Sequence, residues 1–350
     1  MKILYLTCSE EDYLSDALLH GFRRHLGVNA VDYPRKDILY FDCTVNARQR
    51  IRGGGFTLYT GLLKEDVIDR SHIIERLQKG EVDLVVFSDI SRQFGYFAQW
   101  RPYIHPGNAI IIDGSDSPQV YPHAGFWWRR PYYWFLPQTT CGFLYFKREW
   151  TEDSRFNLWH RFLPRRVRRA LPHYAGLRPI SFSIPEEKII ATLPIKSKDF
   201  PVHIVDPEVA AMIPGSATTH VFDNEEEYYA DLQASRFGVT TKRAGWDCLR
   251  HYEIAANGCI PCFRDLQLKP RNCAPHGLAP GENCLSYVSA GDLFRQTAAV
   301  DPARYLRLQA GALAWARSCS TRERALEVIR VLEVRWSRSA GFPRRNRLLS

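Results

Sequence analysis

The chain has 350 residues, of which 45% are hydrophobic and 24% charged, and this balance is typical of a globular protein long enough for two domains. Its net charge of +9 favours polyanionic partners such as nucleotides, nucleic acid or anionic membrane surfaces. No run of about 18 apolar residues occurs, so the sequence predicts no transmembrane helix.

The first half of the chain alternates apolar runs with helical patterns. Residues 2–7 and 29–34 predict strands on either side of a helix that Gly27 ends. The N-terminal run turns acidic without a signal-peptide cleavage site, so we expect a cytoplasmic protein. A helix is predicted at 67–79, and further strands are predicted at 82–89, 108–118 and 141–149. Continuous apolar strands alternating with helices are typical of a parallel sheet covered on both faces.

Polar side chains follow these strands at the points where ligands of parallel sheets bind. Asp89 and Asp116 are therefore candidates for a catalytic base, and His20 on the first helix is a third. We rank them in the order Asp116, Asp89, His20. Each acid can equally be a helix cap or a turn residue, and His20 can be an ordinary surface or core histidine.

Several segments carry weaker signals. The glycine-rich stretch 52–56 follows no clear strand, and the aromatic stretch 121–137 fits an acceptor pocket, a membrane interface or an irregular core segment equally well. Arginines cluster in 163–174 and 335–347, which predicts a solvated basic face or contact with an anionic membrane surface. The nine cysteines are best read as reduced thiols, although a loosely spaced zinc set remains an alternative.

A second β-α unit is predicted after residue 178. Its elements are strands at 200–206, 236–241, 259–263 and 284–288, and helices at 223–235, 245–258, 291–299, 302–317 and 321–336. We therefore expect two Rossmann-like domains, an N-terminal one at 1–178 and a C-terminal one at 179–336, followed by a basic tail at 337–350.

One helix of the second unit has the residues of an anion site. Thr241, Lys242 and Arg243 precede its predicted start, and Arg250 and Glu253 lie one turn apart on one face. Cations beside a helix start suit a diphosphate, and a carboxylate one turn further suits ribose hydroxyls. An ordinary surface ion pair between Arg250 and Glu253 accounts for the same spacing.

The segment CLRHYEIAANGCIP (248–261) resembles the R-x-x-E…G-C-I-P segment of exostosin-like glycosyltransferases, and more broadly the donor-binding segment of GT-B glycosyltransferases. The resemblance implies an α/β chain with two facing Rossmann-like domains and a cleft between them, with the acceptor side in residues 1–178 and nucleotide-sugar binding in residues 179–336. It also implies that Arg250 faces the donor diphosphate and that Glu253 holds the ribose. Two departures stand out: Gly245 replaces a glutamate common in GT-B enzymes, and Cys248 replaces a serine common in exostosins.

The sequence thus predicts a glycosyltransferase, active in polysaccharide biosynthesis, that moves a sugar from a nucleotide-sugar to an acceptor hydroxyl. The acceptor is a glycan, a lipid-linked molecule or another compound, and the basic segments predict peripheral membrane contact. No metal and no cofactor are expected, because the chain lacks a D-x-D triplet and cations replace the metal. Two alternatives stay open: a nucleic-acid-directed transferase or basic nucleic-acid-binding protein, which we rank lower, and a non-catalytic nucleotide-sugar-binding module.

Overall fold

The computed structural model of the protein describes residues 1–43, 58–64, 67–121, 140, 142–151, 154, 163–164, 166–167 and 176–338. Four features predicted above lie wholly or mostly outside these ranges: the glycine-rich stretch 52–56, the aromatic stretch beyond Tyr121, and most of the two basic segments. The roles given to them stay predictions.

The first unit is built on six parallel strands. They are β1 (Ile3–Leu6), β2 (Ala30–Tyr33), β3 (Leu84–Phe87), β4 (Ala109–Asp113), β5 (Leu144–Lys147) and β6 (Leu177–Pro179), in the spatial order β2-β1-β3-β4-β5-β6. Successive side chains of a strand point to opposite faces, and here both faces are buried. Tyr5 packs into one apolar cluster, and its neighbours Leu4 and Leu6 pack into another. The carboxyl ends of all six strands share one edge.

Three helices of this unit are α1 (Tyr13–Leu26), α2 (Ile73–Gln78) and α3 (Ile90–Gln99). Asp12 caps α1 by accepting a hydrogen bond from the Ser15 backbone N–H at 3.0 Å. Gly27 ends that helix with a φ of 57°, a conformation that favours glycine.

The second unit is built on a smaller parallel sheet. Its strands, in spatial order, are β7 (Phe237–Thr240), β8 (Ile260–Arg264) and β9 (Leu285–Tyr287). Its helices are α4 (Pro207–Ala210), α5 (Glu225–Ala234), α6 (Leu249–Ala256), α7 (Ala290–Ala298), α8 (Pro302–Ser318) and α9 (Thr321–Arg338). The predicted mixed α/β chain with two successive parallel-sheet units is therefore confirmed.

Helix α9 follows the second sheet in the chain but packs against α1 of the first unit. The backbones approach most closely at Gly21, where an added Cβ would overlap the Thr321 carbonyl group. Ala325 on the next turn of α9 faces the same glycine at 3.0 Å from that position. The last helix therefore ties the second unit to the first helix of the chain.

Three predicted elements differ from those observed. The helix predicted at 67–79 begins only at Ile73, because the preceding residue, His72, has a positive φ of 51° and breaks the helical path. The strand predicted at 200–206 is wrong, since this segment forms only an isolated bridge between His203 and Ala217. Helix α3 was not predicted. Asp89 caps this helix, which was one of the two alternatives to a catalytic role for that residue.

The helix predicted at 245–258 begins at Leu249 and ends at Ala256. Residues 241–247 instead form an irregular loop in which the Arg243 backbone N–H bonds the Gly245 carbonyl at 3.0 Å. Lys242 and Arg243 consequently lie in this loop and not in the helix, whereas Arg250 lies in the first turn of α6.

Helices α8 and α9 are the longest in the described ranges. Within those ranges, every helix is too short or too polar to cross a bilayer. The cytoplasmic location and the domain boundaries at 178 and 336 stay predictions.

The contact between α1 and α9 predicts a clear effect of Gly21→Ala. The added methyl group has no space beside the Thr321 carbonyl, so we expect a loss of about 1–3 kcal/mol in the free energy of unfolding. Urea unfolding measures this loss.

Gly95→Ala is the matched control, because Gly95 lies in α3 and a Cβ there meets nothing within 4 Å. Alanine favours a helix over glycine by roughly 0.5–1 kcal/mol, so this variant should be slightly stabilised. Equal responses of the two variants would contradict the close approach of α9 to α1.

Candidate functional site

Glu253 lies on α6, where the helix faces the first unit. Helix α6 starts at Leu249 and stops before Gly258, whose φ of 71° ends the helical path. The Tyr228 hydroxyl donates a hydrogen bond to Glu253 Oε2 at 3.2 Å. Burial raises the pKa of Glu253 to about 7, and the nearby Arg250 charge opposes that rise. The carboxyl group therefore titrates near neutral pH.

Arg250 is not the surface ion-pair partner that the spacing alone allowed. Within the described part of the chain, no ion pair shorter than 4.0 Å joins Arg250 to an acid, and its buried Nε has no hydrogen-bond partner. Its positive charge acts on His203. Burial and the Arg250 charge together lower the pKa of His203 to about 4. A guanidinium with a neutral histidine beside it presents a net positive site to an anion.

The loop that precedes α6 carries the other predicted donor residues. Thr241 is half-buried, whereas Lys242 and Arg243 are exposed. The Lys242 ammonium group lies 5.9 Å from the centre of the Trp246 ring. Cys248 caps α6 without a side-chain hydrogen bond, so backbone N–H groups at the helix start are not satisfied by a cap. This loop and the helix start together offer cationic and N–H groups at the carboxyl end of β7.

His251 holds that loop against the helix. Its Nε2 lies 3.0 Å from the Trp246 carbonyl oxygen, which can only accept, so Nε2 carries the proton. Its Nδ1 then accepts from the Thr240 hydroxyl at 2.8 Å. Burial lowers the pKa of His251 to about 3, so the ring is neutral at physiological pH. The histidine positions the loop and contributes no charge to the site.

A largely buried polar group joins the two units beside this loop, and only one of its members, Asp116, stood out in the sequence. We call it the Arg148 cluster: Arg148, Glu149, Asp116 and Asp247. Arg148 follows β5 and donates from Nε to the Gly114 carbonyl at 2.9 Å, and from Nη1 to the Asp247 carbonyl at 3.0 Å and to Glu149 at 3.2 Å. Its Nη2 donates to Asp116.

The remaining polar atoms of the cluster are also satisfied. Asp247 accepts from the Tyr252 hydroxyl at 2.8 Å and from the Phe182 backbone N–H at 2.7 Å. The Arg148 guanidinium lies 4.4 Å from the centre of the Phe182 ring. The signal in the sequence was a basic and an acidic residue directly after an apolar strand, in the segment FKRE.

Asp116 belongs to this cluster and lies against the loop of residues 241–247. Its side chain is 50% exposed, and a Cβ added at Gly245 would lie 2.9 Å from Asp116 Oδ1. The structure therefore brings the first base candidate of the first unit next to the loop of the second. At the glycine that departs from the glutamate of GT-B enzymes, a side chain would force the carboxylates of Asp116 and Glu149 to shift.

Asp89 lies at the same edge of the first sheet and caps α3. Its carboxylate accepts from the backbone N–H groups of Ser91 at 2.9 Å and Arg92 at 3.3 Å. Burial and the neighbouring Asp12 raise its pKa to about 6. A carboxylate with this pKa accepts a proton more readily than an ordinary aspartate.

His20 lies away from the carboxyl edge. It is fully buried between α1 and α9, and its Nδ1 lies 2.8 Å from the Thr321 hydroxyl. The structure therefore brings Asp116 together with the 241–247 loop, which carries the predicted donor residues, and places Asp89 at the same sheet edge. It does not bring His20 to either.

Several solved structures have a similar fold. Anabaena HepE in complex with UDP superposes with a TM-score of 0.54 at 10% identity, covering 95% of this chain and 100% of HepE. HepE in complex with UDP-glucose gives 0.53 at 11% identity, with the same coverage. A glycosyltransferase from Rickettsia africae gives 0.53 at 8% identity, covering 97% of this chain and 99% of that one.

No family profile and no curated protein matches the amino-acid sequence. The likeness therefore lies in the fold, and it extends over nearly the full length of both chains. The chain has a GT-B-like fold with two Rossmann-like domains, as the sequence predicted.

The Arg148 cluster predicts a large effect of Arg148→Met. Removal of the guanidinium leaves Glu149 and Asp247 buried without a cation, so we expect a loss of about 3–5 kcal/mol in the free energy of unfolding at neutral pH. Burial already raises the pKa of Asp247 with Arg148 present, and loss of the cation raises it further. Protonation removes the unpaired charge, so the deficit should shrink as the pH falls, which urea unfolding at two pH values measures.

Arg295→Met is the control, since Arg295 is 80% exposed and its pair with Asp292 is a surface one. We expect a change within roughly 0.5 kcal/mol and no pH trend. A deficit of Arg148→Met that is independent of pH would assign the loss to packing and not to the uncompensated carboxylates.

Proposed function

We propose that the protein is a glycosyltransferase that moves a sugar from a nucleotide-sugar to an acceptor hydroxyl. The observation that carries the proposal is Arg250 at the start of α6, which forms no ion pair with an acid of the described ranges and lies one turn from a carboxyl group whose pKa is about 7. Support comes from the fold, which is shared with HepE, a protein that binds UDP and UDP-glucose.

The donor residues divide by charge. Arg250, Lys242 and Arg243, together with the N–H groups at the start of α6, suit the diphosphate, because charge-assisted hydrogen bonds to phosphate oxygens are strong. Thr241 adds a hydroxyl donor beside them. Glu253 suits the ribose, whose two hydroxyls donate to an ionised carboxylate, and Tyr228 holds that carboxylate in place.

In the reaction, the acceptor oxygen forms a bond to the anomeric carbon, and the bond from that carbon to the diphosphate oxygen breaks. A base takes the acceptor proton, and the nucleoside diphosphate leaves with the electron pair. Asp116 is the candidate closest to the donor loop, and Asp89 is the one whose pKa of about 6 suits a base. We propose that Lys242, Arg243 and Arg250 neutralise the leaving diphosphate, so that transfer requires no magnesium or manganese.

Arg250→Ala tests the diphosphate assignment. We expect the affinity for UDP to fall roughly 10- to 100-fold, the equivalent of losing about 1.5–3 kcal/mol from a charged hydrogen bond, while uridine affinity changes little. Calorimetric titration with UDP, GDP, ADP and the matching nucleosides measures both and identifies the preferred base.

Arg295→Ala is the control, because Arg295 lies on the outer surface of α7 and should leave both affinities unchanged. Release of UDP from UDP-glucose in the presence of glycan acceptors then separates catalysis from binding. Donor binding without any turnover would identify a non-catalytic module, and equal losses for diphosphate and nucleoside would give Arg250 a structural role.

Glu253 predicts a pH dependence of donor binding. Because its pKa is raised to about 7, the carboxyl group is largely protonated below that pH and accepts ribose hydrogen bonds only above it. Affinity for the nucleotide-sugar should therefore be about tenfold weaker at pH 6 than at pH 8. The intact donor is the right probe, since the terminal phosphate of a free nucleotide titrates near pH 6 itself.

Glu253→Gln should lower the affinity for the nucleotide-sugar at pH 8 by roughly 10- to 100-fold and should remove its dependence on pH. Glu226→Gln, an exposed acid on α5, should keep both affinity and profile. If Glu253→Gln retains the pH profile, another group titrates and the ribose assignment fails.

A further inference from the structure

A second cluster of potential ligand atoms lies where α1 meets α9. It consists of His20 on α1 and of Glu186 and Glu187 in the short 3-10 helix Glu186–Lys188. One nitrogen or oxygen from each of the three side chains lies within 4.8 Å of the others. In the described part of the chain, no other set of three histidine, cysteine or acidic side chains is this close. The proposed donor site uses none of them.

The hydrogen bonds around His20 fix its tautomer. The Thr321 hydroxyl has one proton and lies 3.1 Å from Glu186 Oε2, a carboxylate oxygen that can only accept. The hydroxyl therefore donates to Glu186 and must accept from His20 Nδ1 at 2.8 Å. Nδ1 consequently carries the ring proton, and Nε2 presents a lone pair.

That lone pair points at another acceptor. His20 Nε2 is buried without a hydrogen-bond partner in the described ranges, and it lies 3.8 Å from Glu187 Oε1. Two acceptor atoms this close, one of them a buried nitrogen without a hydrogen-bond donor, make a position that suits a cation.

We propose that His20, Glu186 and Glu187 bind one divalent cation of the zinc class, which fastens α1 to the connector between the two units and to the start of α9. A histidine whose other ring nitrogen donates a hydrogen bond is the usual zinc ligand, and carboxylates complete such sites. Zinc–nitrogen and zinc–oxygen bonds are about 2.0–2.2 Å, so the three ligand atoms must draw together. Glu187 is 39% exposed and has the freedom to rotate inward.

Two charged neighbours bear on this site. The Arg24 guanidinium lies 3.5 Å from Glu187 Oε1 and competes with a cation, but its side chain is 53% exposed and can turn to solvent. Glu186 also accepts from the Arg322 backbone N–H at 3.1 Å, which orients its carboxylate at the start of α9. Because its ligands lie beside α1 and the start of α9, the cation would stabilise the contact between the units and would not contact the donor.

The test uses the full chain after removal of metals and dialysis into buffer containing zinc chloride. We expect one bound zinc per chain by elemental analysis and a rise in melting temperature. Glu187→Gln should weaken zinc binding by roughly tenfold or more, while the metal-free melting temperature stays unchanged because the side chain is exposed. Glu323→Gln, an exposed acid on α9, should bind zinc as the unaltered chain does.

Cobalt binding distinguishes this site from the cysteines. A cobalt ion held by one histidine and two carboxylates gives no sulfur-to-metal charge-transfer band, whereas a thiolate site does. Zinc binding that survives Glu187→Gln, a thiolate band, or a chain that binds no zinc would each overturn the proposal. In the last case Arg24 or a water molecule satisfies Glu187 and His20.

Discussion

The buried Arg148 guanidinium sets the relation between the two units. It donates to a carbonyl group after β4, to two acids of the first unit, and to the Asp247 carbonyl group at the entrance of α6. An arginine cannot lose its charge at physiological pH, so a buried one must keep its acceptors. The donor loop lies between β7 and α6, and its position is fixed because its last residues belong to this cluster. Gly245 lies under the same constraint, since a side chain there would displace the carboxylates of Glu149 and Asp116 from this cluster.

Much of the fold could be predicted from the sequence, because buried parallel strands are continuous apolar runs and the closing helices have clear caps. The start of α6 could not, since residues 241–247 have no local pattern that separates a loop from a first helical turn. The supposed strand at 200–206 has strand composition, but its segment lies outside the sheet and makes a single bridge. Helix α3 was not predicted, although a helix cap was one of the interpretations given for Asp89, which caps it.

Some residues of the candidate site could be recognised from the sequence, and others could not. Arg250 and Glu253 stood out by their spacing, which is local, and the structure adds that they do not neutralise each other as an ion pair. Asp247 and Arg148 are 99 residues apart, and a contact at that separation leaves no pattern in one sequence. In the sequence, Gly245 is only a departure from the family pattern. Its close approach to Glu149 and Asp116 of the first unit becomes visible only in the structure.

The packing of α9 on α1 has a consequence for how the chain folds during synthesis. Translation proceeds at roughly 5–20 residues per second, so α1 waits for tens of seconds before α9 leaves the ribosome. During that time the surface around His20 and Gly21 that α9 covers is open to water and to other nascent chains. The first domain can therefore complete its core only after the second has been made, and its early intermediates are substrates for chaperones.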